Sequence, residues 1–162
     1  MTTVAIRQAT AGDSEQVAHV VRESWLASNG NLLPPDTVQR LQYSDTMSRF
    51  AADNWRNIWV AEATKGEALE VVGVVGMNTD GVIWMLYVLP GFQGCGVGSA
   101  LYDLAIGALK QAGQPKAMLE VLAANENAVA FYRSRGWVPE GRRTEHIPGF
   151  RFTAVRMGLS LA

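Results

Sequence analysis

The stretch from Pro90 to Ser99 constrains the chain more than any other segment, because it contains four glycines within eight residues. An apolar run precedes it, and apolar residues from Leu101 to Ala108 then recur at helical spacing. Such a density of glycine is typical of backbone that must approach a neighbour or a ligand closely. Since the first N–H groups of a helix can converge on an anion, the stretch predicts a phosphate or diphosphate site. No lysine follows as in a Walker loop, which disfavours chemistry at a γ-phosphate.

A dinucleotide site is the first alternative for this loop. Glu120 lies about 20 residues beyond it, where a Rossmann fold places its ribose-binding acid. However, Ser99 stands where that motif needs a third glycine after Gly94 and Gly96, and too little chain follows for a second half-domain. A dinucleotide-binding oxidoreductase is therefore the less favoured interpretation.

The arrangement of apolar runs predicts the fold class. The chain of 162 residues is 48% hydrophobic and 18% charged, which suits one globular domain over residues 1–162. The pattern predicts strands at 4–7, 58–62, 71–77, 82–89, 116–122 and 152–161, and helices at 99–111 and 126–135. A further helix begins near Asp13, where Gln16 completes a capping box, and less regular helical turns cover 38–55. An antiparallel meander followed by strand, helix, strand and helix predicts an α/β (α+β) fold, with a mixed, mostly antiparallel sheet and helices on both faces.

Charge and composition exclude several classes of partner. Fourteen basic and fifteen acidic residues leave a net charge of −1, which gives no global attraction to nucleic acid or anionic membranes. The longest apolar run, 81–89, is too short to span a bilayer, and the amino terminus has no signal pattern, so we expect a cytoplasmic protein. A single cysteine, Cys95, and two histidines, His19 and His146, make a metal site improbable.

A second constellation lies downstream, between the strand at 116–122 and the following helix. Asn125 is suited to cap that helix. Tyr132 follows seven residues later, about two turns, and so projects toward roughly the same side. Taken alone, the pair is a cap and a packed aromatic residue; together with the glycine loop it indicates a site.

These two segments resemble the GNAT superfamily of acetyl-CoA-dependent N-acetyltransferases. The loop that begins at Gln93 matches that family's Gln/Arg-x-x-Gly-x-Gly/Ala motif, and Asn125-x-x-Ala128-x-x-x-Tyr132 followed by Gly136 and Trp137 is similar to its second motif. The opening strand and helix also resemble the family, whereas residues 29–55, where acceptor-binding elements would lie, are the least distinctive part.

The resemblance implies a sheet whose fourth and fifth strands splay apart to admit acetyl-CoA, which is a cosubstrate that needs no metal. Backbone groups of the fourth strand would pair with the pantetheine amides, the loop amides would hold the diphosphate, and Asn125 would bind the arm from the opposite wall. The residues implied in binding are Leu86, Tyr87, Val88, Gln93, Gly94, Cys95, Gly96, Val97, Gly98, Ser99, Asn125, Ala128 and Tyr132.

The resemblance also implies catalytic roles. An ammonium group must lose a proton before it attacks a thioester. Glu120 is the candidate base, as in family members similar to ribosomal-protein amino-terminal acetyltransferases. Glu62, Glu23 and His19 are reserve candidates, which could act through water. The Val88 amide would stabilise the oxyanion, and Tyr132 would protonate the leaving thiolate.

Cys95 suggests a rival chemistry with a covalent acyl-enzyme, because helix-start amides lower a thiol pKa. The loop position should face diphosphate instead, so we disfavour this route.

The expected activity is transfer of an acetyl group to a primary amine of a small molecule or a protein amino terminus, by direct attack in a ternary complex. A non-catalytic acyl-CoA sensor is the alternative. Trp25, Trp55 and Trp59 could line the acceptor pocket, and the pair Arg142 and Arg143, if it faces the cleft, would favour a carboxylate-bearing acceptor. An exposed closing strand could support a homodimer.

Overall fold

The computed structural model describes residues 2–147 and 150–162. Its strands are β1 (Thr2–Gln8), β2 (Ile58–Lys65), β3 (Ala68–Met77), β4 (Ile83–Val88), β5 (Lys116–Leu122), β6 (Val138–Ile147) and β7 (Phe150–Ser160). Its α-helices are α1 (Ser14–Asn29), α2 (Pro35–Gln42), α3 (Thr46–Asn54), α4 (Val97–Gln111) and α5 (Glu126–Arg133). All the predicted strands and helices are present, and the mixed α/β architecture is confirmed.

The first four strands form one antiparallel sheet in the order β1-β2-β3-β4. β3 is buried from Val71 to Met77 on both sides of the strand, because helices cover both faces of this sheet. Gly73 lets α4 pack against β3, since a Cβ there would lie 2.9 Å from a Leu101 methyl and 3.1 Å from a Val97 methyl. This close approach fixes the start of α4, and with it the glycine loop, over the end of β4.

The remaining strands form a separate antiparallel sheet in the order β5-β7-β6. β6 was not predicted from the sequence, because residues 138–146 are mostly polar and exposed and show no alternation of apolar residues. The expectation that the closing strand offers a free edge is wrong, because β7 is flanked on both sides and β6 forms the edge. The antiparallel pairing of β5 also rules out the dinucleotide-binding alternative, in which a parallel sheet would continue.

The two sheets touch where β4 and β5 begin and then diverge. Val82 and Met118 form an isolated parallel bridge, and the Met118 N–H donates to the Gly81 carbonyl at 2.8 Å. Gly81 is needed at this junction, because its φ is +98° and a Cβ would lie 2.5 Å from the Lys116 carbonyl oxygen. Beyond the bridge the strands separate, so the predicted splay is confirmed and an open cleft lies between the sheets.

The start of α1 differs from the prediction. Asp13 stands at the N-cap position of α1, but its side chain makes no capping hydrogen bond; the residue ends a short 3₁₀ turn over Ala11–Asp13 and is buried. Its carboxylate accepts from both terminal nitrogens of Arg7 at 2.8 and 3.0 Å, and from the Thr10 N–H at 2.7 Å. The predicted capping box with Gln16 is therefore wrong, because the arginine on β1 takes the carboxylate instead.

Replacing Asp13 with asparagine is expected to lower the free energy of unfolding by about 1–3 kcal/mol, since it removes the charge-assisted hydrogen bonds that the buried carboxylate accepts from Arg7, which keeps Glu62 as its other ion-pair partner. The hydrogen bonds from Arg7 hold the pKa of Asp13 below its ordinary value near 3.8. The ion pair therefore stabilises the fold above that pH and is lost as the pH falls through the depressed pKa. Urea unfolding at pH 7 and pH 3 should show a smaller difference between wild type and variant at the lower pH. Asp45→Asn, whose exposed carboxylate pairs with Arg49, is the control and should change stability by less than about 1 kcal/mol.

Candidate active site

The glycine loop is shaped to expose backbone donors. A short turn over Pro90–Phe92 leads into Gln93, after which Gly94 and Gly96 adopt φ values of +80° and +85°. A Cβ at either position would meet no atom within 4 Å, so these glycines are required by the backbone conformation and not by crowding. The space beside them is open.

The helix after the loop begins two residues earlier than predicted, at Val97. Gly96 is its N-cap, and no side chain caps the helix. The first-turn N–H groups of Val97, Gly98 and Ser99 therefore have no intrahelical acceptor, and the positive end of a 15-residue helix dipole lies beside them. This arrangement favours an anion.

Two side chains define the surroundings of the loop. Gln93 Nε2 donates to the Val88 carbonyl at 3.1 Å, which ties the loop to the end of β4. Arg135 Nη2 donates to Ser99 Oγ at 3.4 Å while its guanidinium lies 3.6 Å from the centre of the Phe131 ring. Arg135 thus brings a cation close to the loop. The sequence analysis missed it because this residue stood only at a predicted helix end.

The open edge of β4 supplies further backbone groups. The Leu89 N–H donates to the Val72 carbonyl, and backbone groups of successive strand residues point in alternate directions. By this alternation the backbone of Tyr87 is directed at β3, whereas the N–H and C=O of Leu86 and Val88 face the cleft. Tyr87 therefore contributes its ring to the cleft and not its backbone.

Asn125 stands on the opposite wall, where its side chain caps α5. Its Oδ1 accepts from the Ala128 N–H at 3.1 Å, and its Nδ2 donates to Asn29 Oδ1 at 3.0 Å. Asn29, which is 3% exposed, in turn donates to the Trp25 carbonyl at 3.0 Å. The two asparagines thus link the end of α1 to the start of α5 across the cleft.

Tyr132 is packed on that same wall. It is 8% exposed, and its ring makes edge contacts with Phe131 and Trp137 at centroid distances of 5.0 and 5.5 Å. Burial raises the pKa of Tyr132 well above its ordinary value near 10, and the neighbouring Tyr87 and Tyr102 act in the same direction. Burial also raises the pKa of Tyr87 to about 12. Both phenols hold their protons at neutral pH.

Two adjoining cavities occupy the cleft. The cleft cavity, of about 420 Å³, lies between β4, β5 and α1, and the loop cavity, of about 540 Å³, lies against the glycine loop and α5. The predicted binding residues that line one or both are Leu86, Tyr87, Val88, Gln93, Gly94, Gly96, Gly98, Ser99, Asn125, Ala128 and Tyr132. The structure therefore brings together two segments that lie about thirty residues apart in the sequence.

Two predicted binding residues do not line these cavities. The side chain of Val97 is buried in the core, which leaves its N–H as its contribution to the loop. Cys95 is exposed, and its Sγ lies 2.9 Å from the Phe92 carbonyl. Since this thiol faces its own loop and not the cleft cavity, the geometry gives no support to a covalent acyl-enzyme on Cys95.

Carboxylates enter the cleft cavity from the second sheet. Glu120 on β5 lines it and bonds Arg143, whose Nη2 lies 3.0 Å from Glu120 Oε2. Arg143 also pairs with Glu145, a second carboxylate in the cavity wall. The sequence analysis missed Glu145 because it missed β6.

The other predicted bases lie elsewhere. Glu62 pairs with Arg7 at 3.0 Å on the first sheet, and neither it nor Glu23 nor His19 lines either cavity. Among the described residues, Ser24 Oγ is the one fully buried side-chain nitrogen or oxygen without a hydrogen-bond partner, and Ser24 lies in the wall of the cleft cavity.

The two neighbouring arginines point in opposite directions, because side chains alternate along β6. Arg142 lines a separate depression beside α5, and the charge of Arg143 is shared between two carboxylates. The pair therefore does not present two free cations to an acceptor, and the preference for a carboxylate-bearing acceptor loses its basis. Of the three candidate tryptophans, Trp25 lines the cleft cavity, whereas Trp55 and Trp59 do not.

Over residues 2–147 and 150–162, no three His, Cys, Asp or Glu side chains are grouped to hold a metal ion. In the same part of the chain, no helix has the length and hydropathy needed to cross a bilayer.

Comparison with known proteins identifies relatives that share this architecture. An uncharacterised N-acetyltransferase of Bacillus subtilis, YuaI, is 23% identical over 160 residues, which cover 96% of this chain and 92% of the relative. A GCN5-related N-acetyltransferase structure from Rhodopseudomonas palustris superposes with a TM-score of 0.78 at 24% identity, covering 98% of this chain and 96% of the other. The PaiA N-acetyltransferase of Thermoplasma acidophilum, solved with coenzyme A, superposes with a TM-score of 0.71 at 18% identity, and the match covers 98% of this chain and 99% of the other.

These structural likenesses establish the fold, and the family follows from a sequence match. The profile of the Acetyltransferase (GNAT) family matches residues 19–137, which is more than half of the chain and includes the glycine loop and the segment from Asn125 to Tyr132. The divided sheet and the uncapped glycine helix agree with that match. The chain therefore belongs to the acetyltransferase (GNAT) family of acyltransferases.

Proposed function

We propose that this protein transfers the acetyl group of acetyl-CoA to a primary amine of a small molecule or a peptide amino terminus, by direct attack in a ternary complex. The observation that carries the proposal is the continuity of the loop cavity with the cleft cavity. The loop cavity offers free N–H groups to a diphosphate, Tyr132 lines both cavities, and the cleft cavity adds the carboxylates of Glu120 and Glu145. The coenzyme A bound to the Thermoplasma relative supports the same class of substrate.

The binding roles follow from the free donors. The amides of Val97, Gly98 and Ser99 would hold the diphosphate at the start of α4, and Arg135 would add a positive charge. The free N–H and C=O of Leu86 would pair with the pantetheine amides in the manner of an added strand, whereas the Val88 carbonyl already accepts from Gln93 and the Val88 N–H is left for the oxyanion. Asn125, which is held by its two hydrogen bonds, would bound the pantetheine arm from the opposite wall of the cleft.

The chemical step requires a neutral amine near the thioester. Glu120 is the proposed base, because its carboxylate lines the cleft cavity and can accept a proton directly or through one water. Arg143 would hold that carboxylate in position through its ion pair. The Val88 N–H would stabilise the oxyanion, and the Tyr132 phenol would protonate the thiolate that leaves.

A paired substitution on the second sheet tests the proposed base. Glu120→Gln is expected to lower the turnover number by about 100-fold or more, while KM for acetyl-CoA stays near the wild-type value. Glu145→Gln is the matched control, since this carboxylate bonds the same arginine and lines the same cavity. The measurement is CoA thiol release against pH with a panel of amine acceptors. A larger loss in Glu145→Gln would move the base to that residue, and wild-type protein that binds acetyl-CoA but acetylates no amine would contradict the enzymatic proposal.

A further inference from the structure

A third cavity extends the cleft toward the least distinctive part of the sequence. This apolar groove, of about 430 Å³, lies between α1, α2, α3, β4 and the start of β7. It shares six wall residues with the cleft cavity, namely Trp25, Trp84, Met85, Tyr87, Leu122 and Phe152. A molecule with one end at the thioester can therefore place its other end in the groove.

The wall of the groove is almost wholly apolar. Leu41, Met47 and Phe50 close it from α2 and α3, and the Phe50 ring meets Trp84 edge-on at a centroid distance of 5.5 Å. Arg22 is the one charged residue in this wall, and its Nη1 donates to the Ser44 carbonyl at 2.8 Å. Among the described residues no carboxylate or amide side chain lines the groove, and its polar side chains are Arg22 and the hydroxyl-bearing Ser44, Thr46 and Tyr87. A second ammonium placed there would therefore lose its hydration without an anionic partner, and a sugar with several hydroxyls would find few partners.

The neighbouring cleft cavity, unlike the apolar groove, is lined by carboxylates. Glu120 and Glu145 are the charged residues that line the cleft cavity among the described residues. Both bond Arg143, and Arg156 is the register partner of Glu120, but neither arginine lines the cavity, so the charges in its wall are negative. An ammonium is attracted to that end of the cavity. Phe152, the register partner of Glu145 on the neighbouring strand, belongs to both the cleft cavity and the groove. Attraction of the nitrogen and burial of an apolar body are therefore compatible with one acceptor.

We infer that the acceptor is a primary amine carrying one ring-sized apolar group a few bonds from the nitrogen, and not a polyamine or an aminoglycoside. The inference rests on the proposed function and adds the substrate class to it. The nitrogen lies at the cleft cavity near Glu120, and the apolar group fills the groove against Trp25, Trp84 and Phe152. A small amine and a peptide with an aromatic first residue share this chemistry.

An acceptor panel tests the inference with acetyl-CoA held at saturation. We expect kcat/KM for 2-phenylethylamine, for a tetrapeptide beginning with phenylalanine, or for both, to exceed that for putrescine and kanamycin by at least about 10-fold. The first two acceptors distinguish a free amine from a peptide source. Equal or higher values for putrescine or kanamycin would overturn the inference while leaving the proposed function intact.

Two variants in the groove and one control test whether the apolar group of the acceptor binds there. Phe152→Ala should lower kcat/KM for the apolar acceptor by at least about 10-fold without changing KM for acetyl-CoA. Phe150→Ala is the control, because this ring stacks on Phe152 at a centroid distance of 6.1 Å but does not line the groove. Met47→Glu places a carboxylate in the wall and should reverse the preference toward putrescine. Equal losses in the Phe150 and Phe152 variants, or an unchanged preference in Met47→Glu, would count against the groove.

A binding measurement separates failure of this inference from failure of the proposed function. Titration of 2-phenylethylamine into the CoA-saturated protein, followed by tryptophan fluorescence, reports binding beside Trp25 and Trp84 without any turnover. Saturable binding that is weakened at least about 10-fold by Phe152→Ala supports the groove even if no acetyl transfer occurs. The absence of binding of both the amine and the phenylalanine peptide would overturn it.

Discussion

Tyr132→Phe is expected to lower the turnover number by about 100-fold or more while leaving KM for acetyl-CoA nearly unchanged. The substitution removes one hydroxyl and keeps the ring that packs between Phe131 and Trp137, so the fold and the cavity walls should persist. Because burial raises the pKa of Tyr132, the phenol stays protonated to above its ordinary value near 10. A pH–rate profile should therefore show no loss of activity from Tyr132 ionisation below about pH 10.

Tyr87→Phe is the matched control for this prediction. Tyr87 also lines the cleft cavity and also holds its proton, with a pKa of about 12. Single-turnover and steady-state rates of CoA release should therefore change little in this variant. A loss in Tyr87→Phe as large as in Tyr132→Phe would transfer the role of acid to Tyr87, and wild-type turnover in Tyr132→Phe would remove the role altogether.

Gly98→Asp should weaken acetyl-CoA binding by at least about 100-fold, because it places a carboxylate among the amides that would receive the diphosphate. The free protein should nevertheless be as stable as wild type or more stable by up to about 1 kcal/mol, since a negative side chain in the first turn interacts favourably with the positive end of the helix dipole. The position accepts a side chain: its φ is not positive, and a Cβ would lie 3.6 Å from a Val88 methyl, an ordinary contact. Binding and stability are thus expected to change in opposite directions.

Gly98→Ala separates charge from bulk in that experiment. It adds the same Cβ without the carboxylate, and we expect its dissociation constant for acetyl-CoA to stay within about 10-fold of the wild-type value. Isothermal titration with acetyl-CoA and thermal unfolding of the free protein give the two readouts. Tight binding by Gly98→Asp would mean that the diphosphate does not lie at the start of α4.

Much of the cleft could be predicted from the sequence, because local chemistry determines it. The glycines at 94 and 96 are needed for their positive φ values, and Asn125 forms the predicted cap on α5. Such features depend on residues a few positions apart, so a linear pattern contains them. The splay between β4 and β5 was a prediction from family resemblance, and its physical basis, the bridge at Val82 and the glycine at 81, appears only in three dimensions.

The remaining parts of the site depend on contacts distant in sequence. Glu145 reaches the cleft through β6, a polar strand whose pairing with β7 is not encoded in apolar alternation. The apolar groove combines buried and half-buried side chains from six elements, α1, α2, α3, β4, β5 and β7, each of which looks like ordinary core in its own sequence window. Asp13 matched a helix-capping pattern, but Arg7 on the preceding strand competes for its carboxylate more strongly than the helix does.

The link between Asn29 and Asn125 has a mechanical consequence. The two halves of the molecule share one strand-to-strand bridge among the described residues, at Val82 and Met118, and the asparagine pair closes the cleft farther along. Separating the two asparagines costs about 0.5–1.5 kcal/mol, the free energy of one neutral hydrogen bond. The side chains of both sheets, however, share one hydrophobic core with α4 and α5. The contact between the asparagines can therefore be broken without unfolding either sheet, whereas moving the two sheets apart would expose that shared core.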